Sequence, residues 1–152
     1  MNKMFISAGL ALALGAGYSL TAFSQAKPEV LVKQRQAAMT LQGKYFGPMS
    51  AMAQDKIPFR ADVVAYNASL LDALSRMPWD GFDANTKDVK SAALPAVFTD
   101  TAKFKQAQDN LQSAVGKLVA TSKGGDTAAT KAAIGAVGKT CGGCHENFRQ
   151  KQ

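Results

Sequence analysis

Apolar side chains return every three or four positions through four stretches of this 152-residue chain, and no alternating run of strand length appears. That period is the mark of amphipathic helices. The first predicted helix runs from about Pro28 to Met52, with Pro28 suited to a first turn and Glu29 complementing the helix dipole. Its stripe is Val32, Met39 and Phe46, with Gln36 and Gly43 on the same face; Leu31, Ala38, Tyr45, Met49 and Met52 flank it. Pro48 removes a bond to the Lys44 carbonyl and predicts a kink in the last turn.

The second helix is expected over Ala61 to Met77, on the stripe Val63, Tyr66, Leu70, Leu74 and Met77, and Pro78 ends it. From Trp79 to about Thr99 the period is lost among Gly81, Asp83, Asn85 and Pro95, which reads as a long crossover loop. A third helix follows from Asp100, a plausible N-cap, to about Thr121 on Phe104, Ala107, Leu111, Ala114 and Leu118. After the turn Gly124-Gly125-Asp126, a fourth starts near Thr127 with Ile134, Val137, Cys141, Cys144 and Phe148 facing inward. The predicted fold is all-α, an up-and-down antiparallel four-helix bundle.

The chemistry lies on the last helix. Cys141-Gly142-Gly143-Cys144-His145 contains the only two cysteines and the only histidine of the chain. C-x-x-C-H is the attachment signature of a c-type haem, in which each sulfur joins a vinyl group and the imidazole ligates the iron. One covalent haem c is the expected cofactor, with His145 as metal ligand and the haem site on the C-terminal helix. The competing reading is a haem-free helical interaction module with a disulfide between Cys141 and Cys144. A redox dithiol usually belongs to a βαβ unit, and nothing upstream of Cys141 reads as a strand.

With one histidine, bis-histidine ligation within the chain is impossible. The sixth position falls to a methionine, a weaker ligand or nothing, and Met39, mid-helix on the first stripe, is the methionine best placed to approach. Arg35, one turn before it, suits a paired hydrogen bond to a haem propionate, with Gln36 as a neighbouring donor. Arg149, one turn after His145, brings positive charge to the proximal side.

Ahead of the helices, Lys3 and the uncharged apolar run Phe5 to Leu20 precede Ala22-Phe23-Ser24, the pattern of a secretory signal peptide over residues 1–24. The run is shorter than the ~20 residues of a spanning helix, so no stable membrane anchor is expected after cleavage. Residues 25–152 then form one domain. Export fits a periplasmic location, because c-type haem is attached outside the bacterial inner membrane. The formal charge is +7, of which the leader supplies only Lys3. A basic exterior steers acidic redox partners, but the scattered charges, without interleaved aromatics, argue against nucleic-acid binding. No nucleophile–base pair is evident, so the chain does not read as an enzyme.

A haem motif at the extreme C-terminus of an exported four-helix chain resembles the class II c-type cytochromes, specifically the cytochrome c′ family. The resemblance extends over Lys27-Pro28-Glu29, Arg35-Gln36, Pro78-Trp79 to Phe82, Phe104-Lys105, Val137-Gly138, the pentapeptide and Phe148-Arg149. It implies haem bound through Cys141, Cys144 and His145, with Arg35 and Gln36 at the haem edge and Thr86 in the covering loop. It also implies a homodimer through the first two helices, with Tyr45, Phe46, Met49 and Met52 as possible contacts. The implied iron is five-coordinate and high-spin, binding nitric oxide and carbon monoxide, with electron transfer as an associated role. Many relatives carry a bulky aliphatic or aromatic residue where Met39 stands. Low-spin members of the class ligate iron with a methionine there, so a six-coordinate His/Met electron carrier is the alternative.

Overall fold

The computed structural model describes residues 26–151; the expected leader, residues 1–24, lies outside them. The long helices are α1 (Pro28–Ala53), α2 (Ala61–Leu74), α4 (Thr101–Lys123) and α5 (Thr127–Phe148). Between α2 and α4 the crossover holds two 3-10 turns, Asp80–Phe82 and Ala84–Thr86, and the single-turn α3 (Ala96–Thr99). Helix α1 packs on α2 and α5, and α4 on the same two. The result is an up-and-down antiparallel four-helix bundle.

Local signals set most of the helix starts. Pro28 opens α1, and the Asp126 carboxylate accepts the Ala129 N–H at 3.0 Å to cap α5. Asp100 caps α4 through a longer contact of 3.4 Å from the Lys103 N–H. Pro48 withdraws one backbone donor, and α1 nonetheless continues through it to Ala53. Gly125 takes φ 77° in the α4–α5 turn, a conformation glycine adopts freely.

Two predicted features of α2 are corrected. The helix stops at Leu74, three residues early, and its buried face is Val64, Asn67, Ala68, Leu71 and Leu74. Tyr66 and Met77, expected inside, are 63% and 59% exposed. The early stop has a physical cause: Pro78 has no N–H for the Leu74 carbonyl, the last turn tightens so that Arg76 and Met77 bond back three residues to Ala73 and Leu74, and side-chain donors take up the terminal carbonyls. Gln42 Nε2 donates to the Leu74 carbonyl at 3.0 Å, and Trp79 Nε1 to that of Ser75 at 2.8 Å.

The face of α1 is also rotated from the expected stripe. Val32, Arg35, Ala38, Gln42, Met49 and Met52 are buried, while Met39 and Phe46 are half-buried and Gln36 and Gly43 exposed. Arg35 and Gln42 tolerate burial because carbonyls elsewhere in the fold accept their protons. Met49 and Met52 lie in the chain's own core, which removes them from any surface between copies.

That core falls into two clusters. The larger joins Met49, Leu71, Leu118 and Ile134 across all four long helices. The smaller, at the other end of α5, joins Val97, Phe104 and Phe148. Phe104 meets Phe82 at a centroid distance of 4.9 Å and Phe148 at 5.1 Å, both edge-to-face.

Candidate haem site

Cys141 and Cys144 sit at the seam of these clusters. Cys141 packs against the larger and Cys144 against the smaller, and both are half-buried and free. Their spacing along α5 is one turn, so the two sulfurs lie on nearly one face. Burial pushes the Cys141 thiol up; burial and then the neighbouring Cys141 push Cys144 up. Both groups therefore stay protonated near neutrality.

His145, next along the helix, is exposed. Desolvation and then the Arg149 charge hold its imidazole below the ordinary histidine range, which favours the neutral, ligating form. Among the described residues no group of three or more His, Cys, Asp or Glu can hold a metal ion. Iron bound at His145 therefore needs its equatorial ligands from a macrocycle, and the two neighbouring thiols are what would tether one. The donor set fits haem c.

Met39 comes level with this motif by register. The Phe46 ring covers Gly138, where a Cβ would lie 3.3 Å from Phe46 Cζ. In the antiparallel pair, seven residues back from Phe46 reaches Met39 and seven on from Gly138 reaches His145, each about 10 Å along its axis. Met39 is half-buried and belongs to neither apolar cluster.

Arg35 is 4% exposed, an unusual position for a cation. Its guanidinium donates from Nη1 to the Gly81 carbonyl and from Nη2 to Ser91 Oγ at 2.6 Å, and it lies over the Phe82 ring at 4.4 Å. No ion pair among the described residues involves it. Burial lowers its pKa. A buried guanidinium with only neutral partners is the complement of a carboxylate such as a haem propionate.

Gly81 makes this geometry possible, because a Cβ there would lie 2.6 Å from Arg35 Cβ and 2.8 Å from the Leu31 carbonyl oxygen. Thr86, 1% exposed, has its one proton directed at the Asp83 carbonyl at 2.7 Å and the Gly81 carbonyl at 3.2 Å. It buttresses the Arg35 site through Gly81. Gln36 points to the exterior of α1. Arg149 pairs its backbone with Ala93, an antiparallel bridge that ties the crossover to the residues following the motif. Sequence reasoning missed Ser91; only its distance from the chain's other signals hid it, since nothing local marks a serine in a loop.

No described helix is long and apolar enough to cross a membrane. A family model described as Cytochrome C′ matches residues 30–149. A cytochrome c′ of Rubrivivax gelatinosus is 45% identical over 126 residues, covering 82% of this chain and 98% of that protein. Its crystal structure superposes with a TM-score of 0.78 over the same shares of the two chains. A ferrous variant of the Alcaligenes xylosoxidans cytochrome c′ with bound nitric oxide gives 0.77 at 37% identity, covering 84% of this chain and 98% of that one. A carbon monoxide-bound variant of the same protein gives 0.77 at 38% identity, covering 83% and 98%.

Proposed function

The chain belongs to the cytochrome c′ family, and from that premise we propose a periplasmic, five-coordinate, high-spin haem protein that binds nitric oxide and carbon monoxide and exchanges electrons with redox partner proteins. As a family member it carries covalently attached haem c and serves electron transfer and gas binding rather than catalysis. The proposed leader, residues 1–24, would deliver it to the compartment where the haem is attached, and residues 25–152 would form the haem domain.

The observation that carries the reading is the convergence at one end of the bundle. Two free, half-buried thiols one turn apart and the adjacent imidazole stand on one capped helix, and Met39 lies level with them on α1. When bound, the haem supplies a redox-active iron with an open axial position. Cys141 and Cys144 tether it, and His145 occupies the proximal side. Arg35 neutralises a propionate, with Gln36 as an outer donor and Thr86 as support. Arg149 keeps positive charge beside His145. Met39 serves as an apolar lid that excludes water and offers no hydrogen bond to bound oxygen.

The sixth-ligand alternative, Met39 on the iron, draws on the same register and is separated from the lid by spectroscopy. Pairing of two copies through α1 and α2 is part of the proposal. Tyr66 at 63% and Leu41 at 40% exposure support an apolar contact there. A concentration-independent monomer mass in sedimentation would reject it.

Denaturing mass spectrometry tests the attachment. The wild type should retain the haem mass, whereas Cys141→Ala or Cys144→Ala should leave one thioether at most and a sharply lower holoprotein yield. The His145→Ala visible spectrum should differ from wild type; an unchanged one refutes the proximal assignment.

A further inference from the structure

We propose that Ser91 is a positioning residue for the Arg35 guanidinium and completes, with it, a two-donor carboxylate site. This inference rests on the reading above that Arg35 meets a haem propionate. Ser91 Oγ accepts from Arg35 Nη2 at 2.6 Å and from the Ala93 N–H at 3.3 Å. A hydroxyl has two acceptor lone pairs and one proton. Both lone pairs are engaged by N–H donors, so the proton is left to donate outward, and no acceptor among the described residues receives it.

Arg35 is in a corresponding state. Of its five N–H groups, two are used, one on the Gly81 carbonyl and one on Ser91, and the rest have no acceptor among the described residues. Two neighbouring side chains thus hold spare donors and no acceptor. A carboxylate, which offers only acceptors, is the group that completes such a pair of donors.

Ser91 is also fixed independently of Arg35. The Leu94 N–H donates to the Phe148 carbonyl at 2.9 Å and that of Gln150 to the Ala92 carbonyl at 2.8 Å, locking residues 92–94 to the end of α5. The hydroxyl therefore sits on a segment anchored to the helix that carries the attachment motif, while Arg35 reaches it from α1. Its oxygen selects one orientation of a long, flexible cation. Without it, the guanidinium retains only the Gly81 carbonyl and the Phe82 ring, neither of which fixes rotation of the fork.

The test is the midpoint potential of purified holoproteins, with covalent haem and far-UV circular dichroism confirming that each variant is assembled. Losing a positioned cation beside a propionate disfavours the added electron. Ser91→Ala should therefore lower the reduction equilibrium constant about three- to tenfold, tenfold being about 59 mV for one electron. Ser91→Thr, which keeps the hydroxyl, should remain within twofold of wild type, and Ser91→Val, its isostere, should behave like Ser91→Ala. The Thr/Val pair makes the same comparison if the alanine variant does not accumulate.

Arg35→Gln should lower the potential further, and adding Ser91→Ala to it should change nothing more, because the serine acts through the arginine. Equal potentials for the Thr and Val variants, or additive shifts in the double variant, would overturn the role of Ser91 alone. An unchanged potential in Arg35→Gln would overturn the propionate reading beneath it.

Discussion

Substituting Gly81 with alanine should destabilise the protein, against the usual direction of that change at a compatible backbone. Gly81 lies outside the left-handed backbone region. Alanine is therefore conformationally acceptable there, and its stiffer unfolded chain favours folding by about 0.4–1 kcal/mol. The new methyl, however, would lie 2.6 Å from Arg35 Cβ and 2.8 Å from the Leu31 carbonyl oxygen. Both atoms belong to the body of α1 rather than to a mobile side-chain tip, so the crossover must move away from the helix. Overpacking of this kind costs about 1–3 kcal/mol, which leaves a net loss of about 1–2 kcal/mol. For a domain of this size that corresponds to a fall in Tm of roughly 4–8 °C. Gly116→Ala is the internal control. Gly116 is exposed inside α4 with nothing within 4 Å of its Cβ position, so alanine should add about 0.5–1 kcal/mol through helix propensity. Thermal denaturation of the two holoproteins by circular dichroism should give shifts of opposite sign. A Gly81→Ala protein as stable as wild type, or more so, refutes the close approach of the crossover to α1.

Phe104→Ala removes the ring at the centre of the smaller cluster, where Phe82 and Phe148 meet it edge-to-face. It should cost about 3–5 kcal/mol, seen as an early urea midpoint; a loss below about 1 kcal/mol would mean that the cluster repacks without it. Met39→Ala should speed carbon monoxide association with the ferrous protein, by about tenfold if displacing the side chain costs about 1.4 kcal/mol. Stopped-flow traces identical to wild type would remove Met39 from the ligand's path.

What the sequence disclosed was what is written locally. Pro28, Asp100 and Asp126 mark helix starts within one turn of chain, and those boundaries hold to a residue or two. The haem motif is legible for the same reason, since its chemistry sits within five consecutive residues. Pro78 was legible as the stop of α2, but the helix ends three residues before Met77 because the proline's missing N–H leaves the Leu74 carbonyl to Gln42, a donor 32 residues away. The phase of α1 was misjudged because apolar residues occupy two adjoining faces. The choice between them turns on whether Arg35 and Gln42 can be buried, and Arg35 depends on a carbonyl 46 residues distant. Gly81 stood out as a loop breaker, but its tight fit against α1 is a tertiary fact. Ser91 carries no local signal at all.

The central claim is that the iron has His145 on one side and an open position beneath Met39 on the other. Electron paramagnetic resonance of the ferric holoprotein, read with its visible spectrum, tests this directly. The account predicts a high-spin ferric signal for wild type that remains high-spin in Met39→Ala. A low-spin wild type whose thioether-to-iron charge-transfer band disappears in Met39→Ala would contradict it and make the protein a six-coordinate His/Met electron carrier.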